Sequence, residues 1–317
     1  MNDIRPGAAK APEQAALKEQ EPRADRFAFE AIGTNWRIDT DEPMGACLRA
    51  RILDRVRRFD ATYSRFRPDS LVSRIAASPA GGRFEFPTDA IELFTLYDRL
   101  YTATGGAVDP LVGRQLELLG YDSAYTLTPA PDDVRAAERA RGRATWAADV
   151  VREGTTLVTQ RPLVIDVGAV GKGYLVDLLS AIMREASHTR FVVDGSGDLF
   201  HAGERIFRVG LEHPFDPRRV IGVAHLRGQA LCASGVARRA WGDGLHHVLD
   251  ARTGVPVAGV VATWVVADET ALADGLATAL FFADASQLTE TFEFAYVRMH
   301  ADGRADRSSD FAGELFA

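Results

Sequence analysis

Leu163-Val-Ile-Asp-Val-Gly-Ala-Val-Gly-Lys-Gly-Tyr174 is the stretch on which the reading of this chain turns. Its opening run, Leu163 to Val167, is short and apolar, the pattern of a buried strand. The glycines that follow let the backbone turn tightly and approach a ligand. Beyond them Leu175, Leu178, Leu179 and Ile182 recur at helical steps, so a helix leaves the turn. A helix N-terminus offers unpaired N–H groups to an anion, and Lys172 adds a charge. Neither standard nucleotide loop fits. A P-loop needs a longer spacing between its first Gly and Gly-Lys, then Ser or Thr; here Gly168 and Gly171-Lys172 are close and Gly173 follows. The glycines run GxxGxG, so the dinucleotide pattern GxGxxG fails as well. Spacing alone fits both a phosphate-friendly turn and a plain strand–helix turn carrying a surface lysine.

Outward from this segment, strands and helices mix without regular alternation. Phe27 to Ile38 reads as a strand broken at Gly33, and Leu48, Ile52, Val56 and Phe59 mark an amphipathic helix. Pro87 and Thr88 open a second helix, with Thr88 as its N-cap, Ile91, Phe94 and Leu100 on its apolar side, and Gly105-Gly106 at its end. The charged, alanine-rich stretch 127–154 reads as an exposed helical excursion. Phe191–Val193, Phe207–Val209, Val220–Val223 and Val260–Val266 read as strands, and Thr270–Phe282 as a helix. The expectation is an α+β fold of mixed sheets packed with helices, one large catalytic domain over 27–317, and neither a Rossmann nor a P-loop fold.

Composition narrows the function classes. The 317 residues carry a formal charge of -7, which argues against bulk nucleic-acid binding. Cys47 and Cys232 form no CxxC or zinc pattern and read as unpaired thiols, although sequence alone leaves a disulfide open. The longest apolar run, Val255 to Ala267, is interrupted by Pro256 and Gly259 and is too short to span a membrane. Residues 1–26 are rich in Ala, Pro, Glu and Lys without an apolar core, so they read as a disordered tail and not as a signal peptide. A cytoplasmic location is the expectation, or a periplasmic one if the chain is a trimmed form.

Further segments carry candidate chemistry. Asp274 and Thr278 are one helical turn apart in Leu272 to Leu280, so both oxygens project from one face among apolar neighbours. A carboxylate there needs a partner or a metal, and these oxygens with backbone carbonyls suit Mg²⁺ completed by phosphate; a solvent-edge position is the plainer reading. In His246-His247-Val-Leu-Asp250-Ala-Arg252-Thr253-Gly254, a His beside the turn could act as general base or be structural. Adjacent histidines on a strand face opposite ways, so one at most faces a site. Asp109, after the Gly105-Gly106 break, could bind a ligand or cap the next turn. The corner Asp194-Gly195-Ser-Gly197-Asp198 could approach a ligand or only reverse the chain.

Together these segments resemble the FAD:protein FMN transferase family, once described as a thiamine biosynthesis lipoprotein family. The family's Asp-hydrophobic-Gly-small-hydrophobic-small-Lys-Gly-Tyr pattern is matched from Asp166 to Tyr174, and its Ser-Gly-x-x-Arg by Ser234 to Arg238. Its His-hydrophobic-hydrophobic-Asp-Pro-x-Thr-Gly turn is matched by His247 to Gly254, and its Ala-Asp-x-hydrophobic-Ala-Thr-Ala helix by Ala273 to Ala279. Asp109 to Gly113 and the Pro68-Asp69-Ser70 loop complete the order. The resemblance implies Mg²⁺-dependent transfer of FMN from FAD to a Ser or Thr of an acceptor protein, with release of AMP. It implies Asp274, Thr278 and the Ala169 carbonyl as metal ligands, and His247 as catalytic base. It implies FAD contacts from Ile32, Phe66, Ala107, Val108, Asp109, Asp166, Lys172, His247 and Val248. Its partners would be FAD and a flavin-accepting domain. Ile32 stands where a Met is usual, Ala251 replaces the usual Pro, and the frequent export signal or lipid-anchoring Cys is not found. The other readings are an FAD pyrophosphatase giving FMN and AMP, and a non-catalytic FAD-binding protein.

Overall fold

The structure, a computed structural model, describes residues 25–316. The expectation of a disordered tail over 1–26 therefore falls almost wholly outside the described residues. The first strand begins at Asp25.

An eight-stranded sheet forms the centre, and its strands lie side by side in chain order. They are β1 (Asp25–Ala31), β2 (Thr34–Thr40), β3 (Phe191–Asp194), β4 (Asp198–Ala202), β5 (Ala230–Gly235), β6 (Val260–Ala267), β7 (Ala295–His300) and β8 (Ala305–Arg307). Every neighbouring pair is antiparallel. The order is simple, but long insertions separate some neighbours in the chain. The largest, between β2 and β3, carries α1 (Ala46–Tyr63), α2 (Ala90–Ala103) and α3 (Gly171–Glu185). Helix α4 (Thr270–Ala279) connects β6 to β7.

Strand β6 shows how one sequence serves both faces. All its residues are buried, yet successive side chains point to opposite sides. Val265 and Ala267 join the large core under the helices, while Trp264 and Val266 join a second core on the other face. That second core also takes in Leu211, Ala224 and Leu226, from a small sheet of Phe207–His213, Asp216–Leu226 and Gly313–Leu315. Both α3 and α4 bury apolar faces against the main sheet. The α+β architecture matches the sequence expectation, with neither nucleotide fold in it.

Several local expectations change. Leu163–Val167 forms no strand. Leu163, Ile165 and Val167 are buried in extended chain, and the Asp166 amide donates to the Pro110 carbonyl. A short apolar run reports burial, and no sheet edge reaches it to make it a strand. The break at Gly33 is a hairpin turn between two strands, with Ile32 and Gly33 both at positive φ. Helix α2 starts at Ala90 after Asp89, not at Thr88, and Ile91 faces solvent. Asp89 is drawn into an ion pair with Arg55. In the stretch 127–154, the exposed helix Asp132–Arg141 is present, but Trp146 is buried and Val150–Glu153 is a strand. Cys47 and Cys232 are free thiols, one exposed and one buried. Among the described residues no helix is long and apolar enough to cross a membrane.

Candidate functional site

The turn between Asp166 and Gly171 is shaped by the Asp166 carboxylate. It accepts from the Gly168 amide at 2.6 Å and pairs with Arg65. Burial works against its charge, but Arg65, the Gly168 amide and Arg239 together outweigh it and hold the carboxyl below its usual range. Arg65 itself is buried, with its guanidinium over the rings of Phe66 and Tyr121 at 4.2 and 5.0 Å. This short sequence thus ties a turn on one side of the site to an aromatic wall on the other.

Gly173 has a different task from the phosphate approach suggested by its neighbours. A Cβ there would lie 2.2 Å from the Thr270 carbonyl oxygen and 2.7 Å from the Asp274 Cβ. The missing side chain lets α3 and α4 touch. The Gly173 amide, one of the free donors of the α3 N-terminus, donates to the Asp274 carboxylate at 2.9 Å. A second link lies further along. Asp177 of α3 accepts from the Thr270 and Ala271 amides at 2.9 and 2.7 Å, capping the start of α4. Burial raises the Asp177 carboxyl to about 6.

Asp274 is 3% exposed, which excludes the solvent-edge reading. Burial raises its carboxyl well above the usual range, and the Asp198 carboxylate pushes the same way. Lys172 is ion-paired with Asp198. Burial lowers the Lys172 ammonium, but Asp198 and Asp274 more than compensate and its pKa is raised. The Asp194–Asp198 corner therefore reverses the chain from β3 to β4 and also supplies the partner of Lys172.

His246 ends the two-residue strand Leu245–His246 and His247 follows it in a bend, so strand alternation does not govern the pair; their surroundings still differ. The His246 ring bonds the Val257 carbonyl at 3.0 Å. His247 lines the cavity described below, and its Nδ1 is buried without a hydrogen-bond partner. Burial, then the charge of Arg239, lowers its pKa to about 3, so the free imidazole is neutral at physiological pH. Asp109 caps the turn that follows it through the Leu111 amide, and also accepts from Arg143 and the Trp146 amide. Burial raises its carboxyl despite these bonds.

These residues surround a cavity of about 750 Å³. Ile32, Phe66, Ala107, Asp109, Asp166, Ala169, Lys172, His247, Val248, Asp274 and Thr278 all line it. Val108 does not; its side chain packs into the main core. The Ala251 amide donates to the Ala107 carbonyl at 3.0 Å, joining the His247 turn to the Asp109 segment. Sequence reasoning missed Arg65, Tyr121, Tyr125 and Arg239 in the same lining. Arg65 stands beside Phe66 and Arg239 beside Arg238, so adjacency was a usable signal for these. Tyr121 and Tyr125 reach the site only through tertiary packing on Phe66.

Among the described residues no group of three or more His, Cys, Asp or Glu is placed to hold a metal. The expected set contains a single carboxylate, so its chemistry has to be judged by other atoms. A buried Asp274 with raised pKa, a Thr278 hydroxyl on the same helical face and the Ala169 residue line one cavity. Such hard oxygens fit a divalent cation whose remaining positions are filled by phosphate and water.

The fold is shared with solved structures. A flavin transferase ApbE of Vibrio cholerae superposes with a TM-score of 0.77 at 23% identity, covering 92% of this chain and 99% of that one. The ApbE protein of Thermotoga maritima gives 0.77 at 24% identity, covering 90% and 97%. The sequence signature of the ApbE family matches residues 32–299, and the chain belongs to that family. Among its relatives is the FAD:protein FMN transferase of Rhodobacter capsulatus, 32% identical over 232 residues, or 71% of this chain and 44% of that protein. Another is the FAD:protein FMN transferase of Klebsiella pneumoniae, 27% identical over 266 residues, 78% of this chain and 75% of that one. The aligned region thus spans less than half of the first relative and three quarters of the second.

Proposed function

We propose that this protein is an enzyme that transfers FMN from FAD to a Ser or Thr hydroxyl of an acceptor protein, releasing AMP, with Mg²⁺ required. One observation carries the reading. Residues as far apart in sequence as Ile32 and Thr278, implied by the resemblance as flavin-nucleotide and metal contacts, line one cavity. The relatives' names support the same activity.

In this reading the acceptor oxygen attacks the FMN-side phosphorus of FAD. The bond from that phosphorus to the bridging oxygen breaks, and AMP leaves with that oxygen. The acceptor proton passes to His247, whose neutral imidazole is the form able to receive it. Asp274, Thr278 and the Ala169 carbonyl would hold Mg²⁺, which would supply neutralisation of the charge that develops during phosphoryl transfer. Phe66, Tyr121 and Tyr125, packed on one another, give the cavity an aromatic wall against which an aromatic ring system would pack. Asp198 orients Lys172 at the cavity wall. The test is AMP release from FAD, followed with and without a flavin-accepting domain and Mg²⁺. Release that needs both supports transfer. Release with Mg²⁺ alone at the same rate indicates a pyrophosphatase, and FAD binding without release indicates a carrier.

A further inference from the structure

A dinucleotide pyrophosphate is anionic, so the positive side chains in the lining are the protein groups that can meet it beside a bound cation. Most of them are already committed to carboxylates. Arg65 is paired with Asp166, Lys172 with Asp198, and Arg67 with both Asp60 and Asp69. Among the described residues, Arg238 and Arg239 are the lining cations with no carboxylate partner. Arg238 donates to the Ser196 carbonyl at 2.6 Å and lies against Gly197, where a Cβ would meet its guanidinium. Arg239 donates only to a neutral group, the Tyr121 hydroxyl, at 3.0 Å. Its own carbonyl accepts from the His247 amide at 3.3 Å, so the charge and the imidazole hang from one connected backbone.

We propose that Arg239 grips the pyrophosphate of the dinucleotide substrate, a residue assignment that rests on reading the cavity as the FAD site. A guanidinium presents several donors in a fixed plane suited to phosphate oxygens, and Arg239 can offer them without breaking an ion pair. It lines the same cavity as Asp166, Lys172 and His247.

The test is equilibrium binding in EDTA, where no turnover proceeds, of FAD and of riboflavin, which shares the ring and lacks the phosphates. Arg239→Ala is expected to weaken FAD by roughly tenfold or more, the size of a lost charge-assisted hydrogen bond, and to change riboflavin by less than about twofold. Arg239→Gln retains a polar reach to Tyr121 and loses the charge; it is expected to lose FAD affinity to the same degree, while Arg239→Lys recovers part of it. Unchanged FAD affinity in the Gln variant overturns the assignment, as does an equal loss for riboflavin, which would make Arg239 a prop for Tyr121. A wild-type protein that binds FAD no better than riboflavin overturns the reading of the cavity itself, and the assignment with it.

Discussion

Ile32 illustrates how single residues in this protein serve the site against local preference. It is β-branched, sits at φ 45° in the hairpin turn and lines the cavity. A left-handed conformation at such a residue costs about 1–3 kcal/mol and points to a functional demand. Ile32→Gly relieves that conformation but gives up the side chain's packing on the main core, so the two effects oppose each other in stability, while FAD binding is expected to weaken. A variant with full FAD affinity would remove Ile32 from the list of contacts. His247 gives two expectations. His247→Ala should retain FAD and lose transfer by about 10²–10⁴-fold, the range for a general base; transfer at the wild-type rate would cancel that role. Its folded pKa of about 3 lies below the ordinary 6.5. Between those values the unfolded chain binds more protons, so this residue's contribution to stability is lost as pH falls below about 6.5. From pH 6.5 to 5 the wild type should lose about 1–2 kcal/mol more than His247→Gln, the slope steepening toward about 1.4 kcal/mol per pH unit as the unfolded imidazole becomes fully protonated. Parallel losses in the two proteins would show that the imidazole is not held neutral by its surroundings.

Between elements, the joint of α3 and α4 matters most. Gly173 lets the helices touch, its amide holds Asp274, and Asp177 caps α4 from the side. Gly173→Ala should destabilise the fold by about 1–3 kcal/mol, as overpacking does, and should also displace Asp274. Thermal denaturation with Mg²⁺ titration checks both effects; an unshifted Tm would mean that the helices have more room than these distances allow. The helices themselves were legible because their apolar residues recur at helical steps: Leu48, Ile52, Val56 and Phe59 are all buried. The Asp274 helix was also legible, since a carboxylate among apolar neighbours stands out. What the sequence hid were pairings across long separations. Arg65 with Asp166, Lys172 with Asp198 and Asp177 with α4 join segments that only the folded chain brings together. The apolar run at Leu163 signalled burial correctly but not strand pairing, because periodicity reports which side is covered and not by what.

At the scale of the whole molecule, a sheet ordered as the chain runs provides a scaffold, and its long insertions bring distant segments to one cavity. Ligands that bind only the folded state should therefore stabilise all of it. Saturating FAD, at about a hundredfold over its Kd, should add roughly 2.7 kcal/mol. Mg²⁺ should add a further increment that Asp274→Ala abolishes while leaving the FAD increment. A Mg²⁺ increment that survives Asp274→Ala would place the cation elsewhere. The central claim, flavin transfer to protein, is tested most directly by incubating the protein with FAD, Mg²⁺ and a flavin-accepting domain, then reading flavin fluorescence in a denaturing gel. The account predicts a fluorescent acceptor band that EDTA or His247→Ala removes. No band, with a competent acceptor and a working control enzyme beside it, would contradict it.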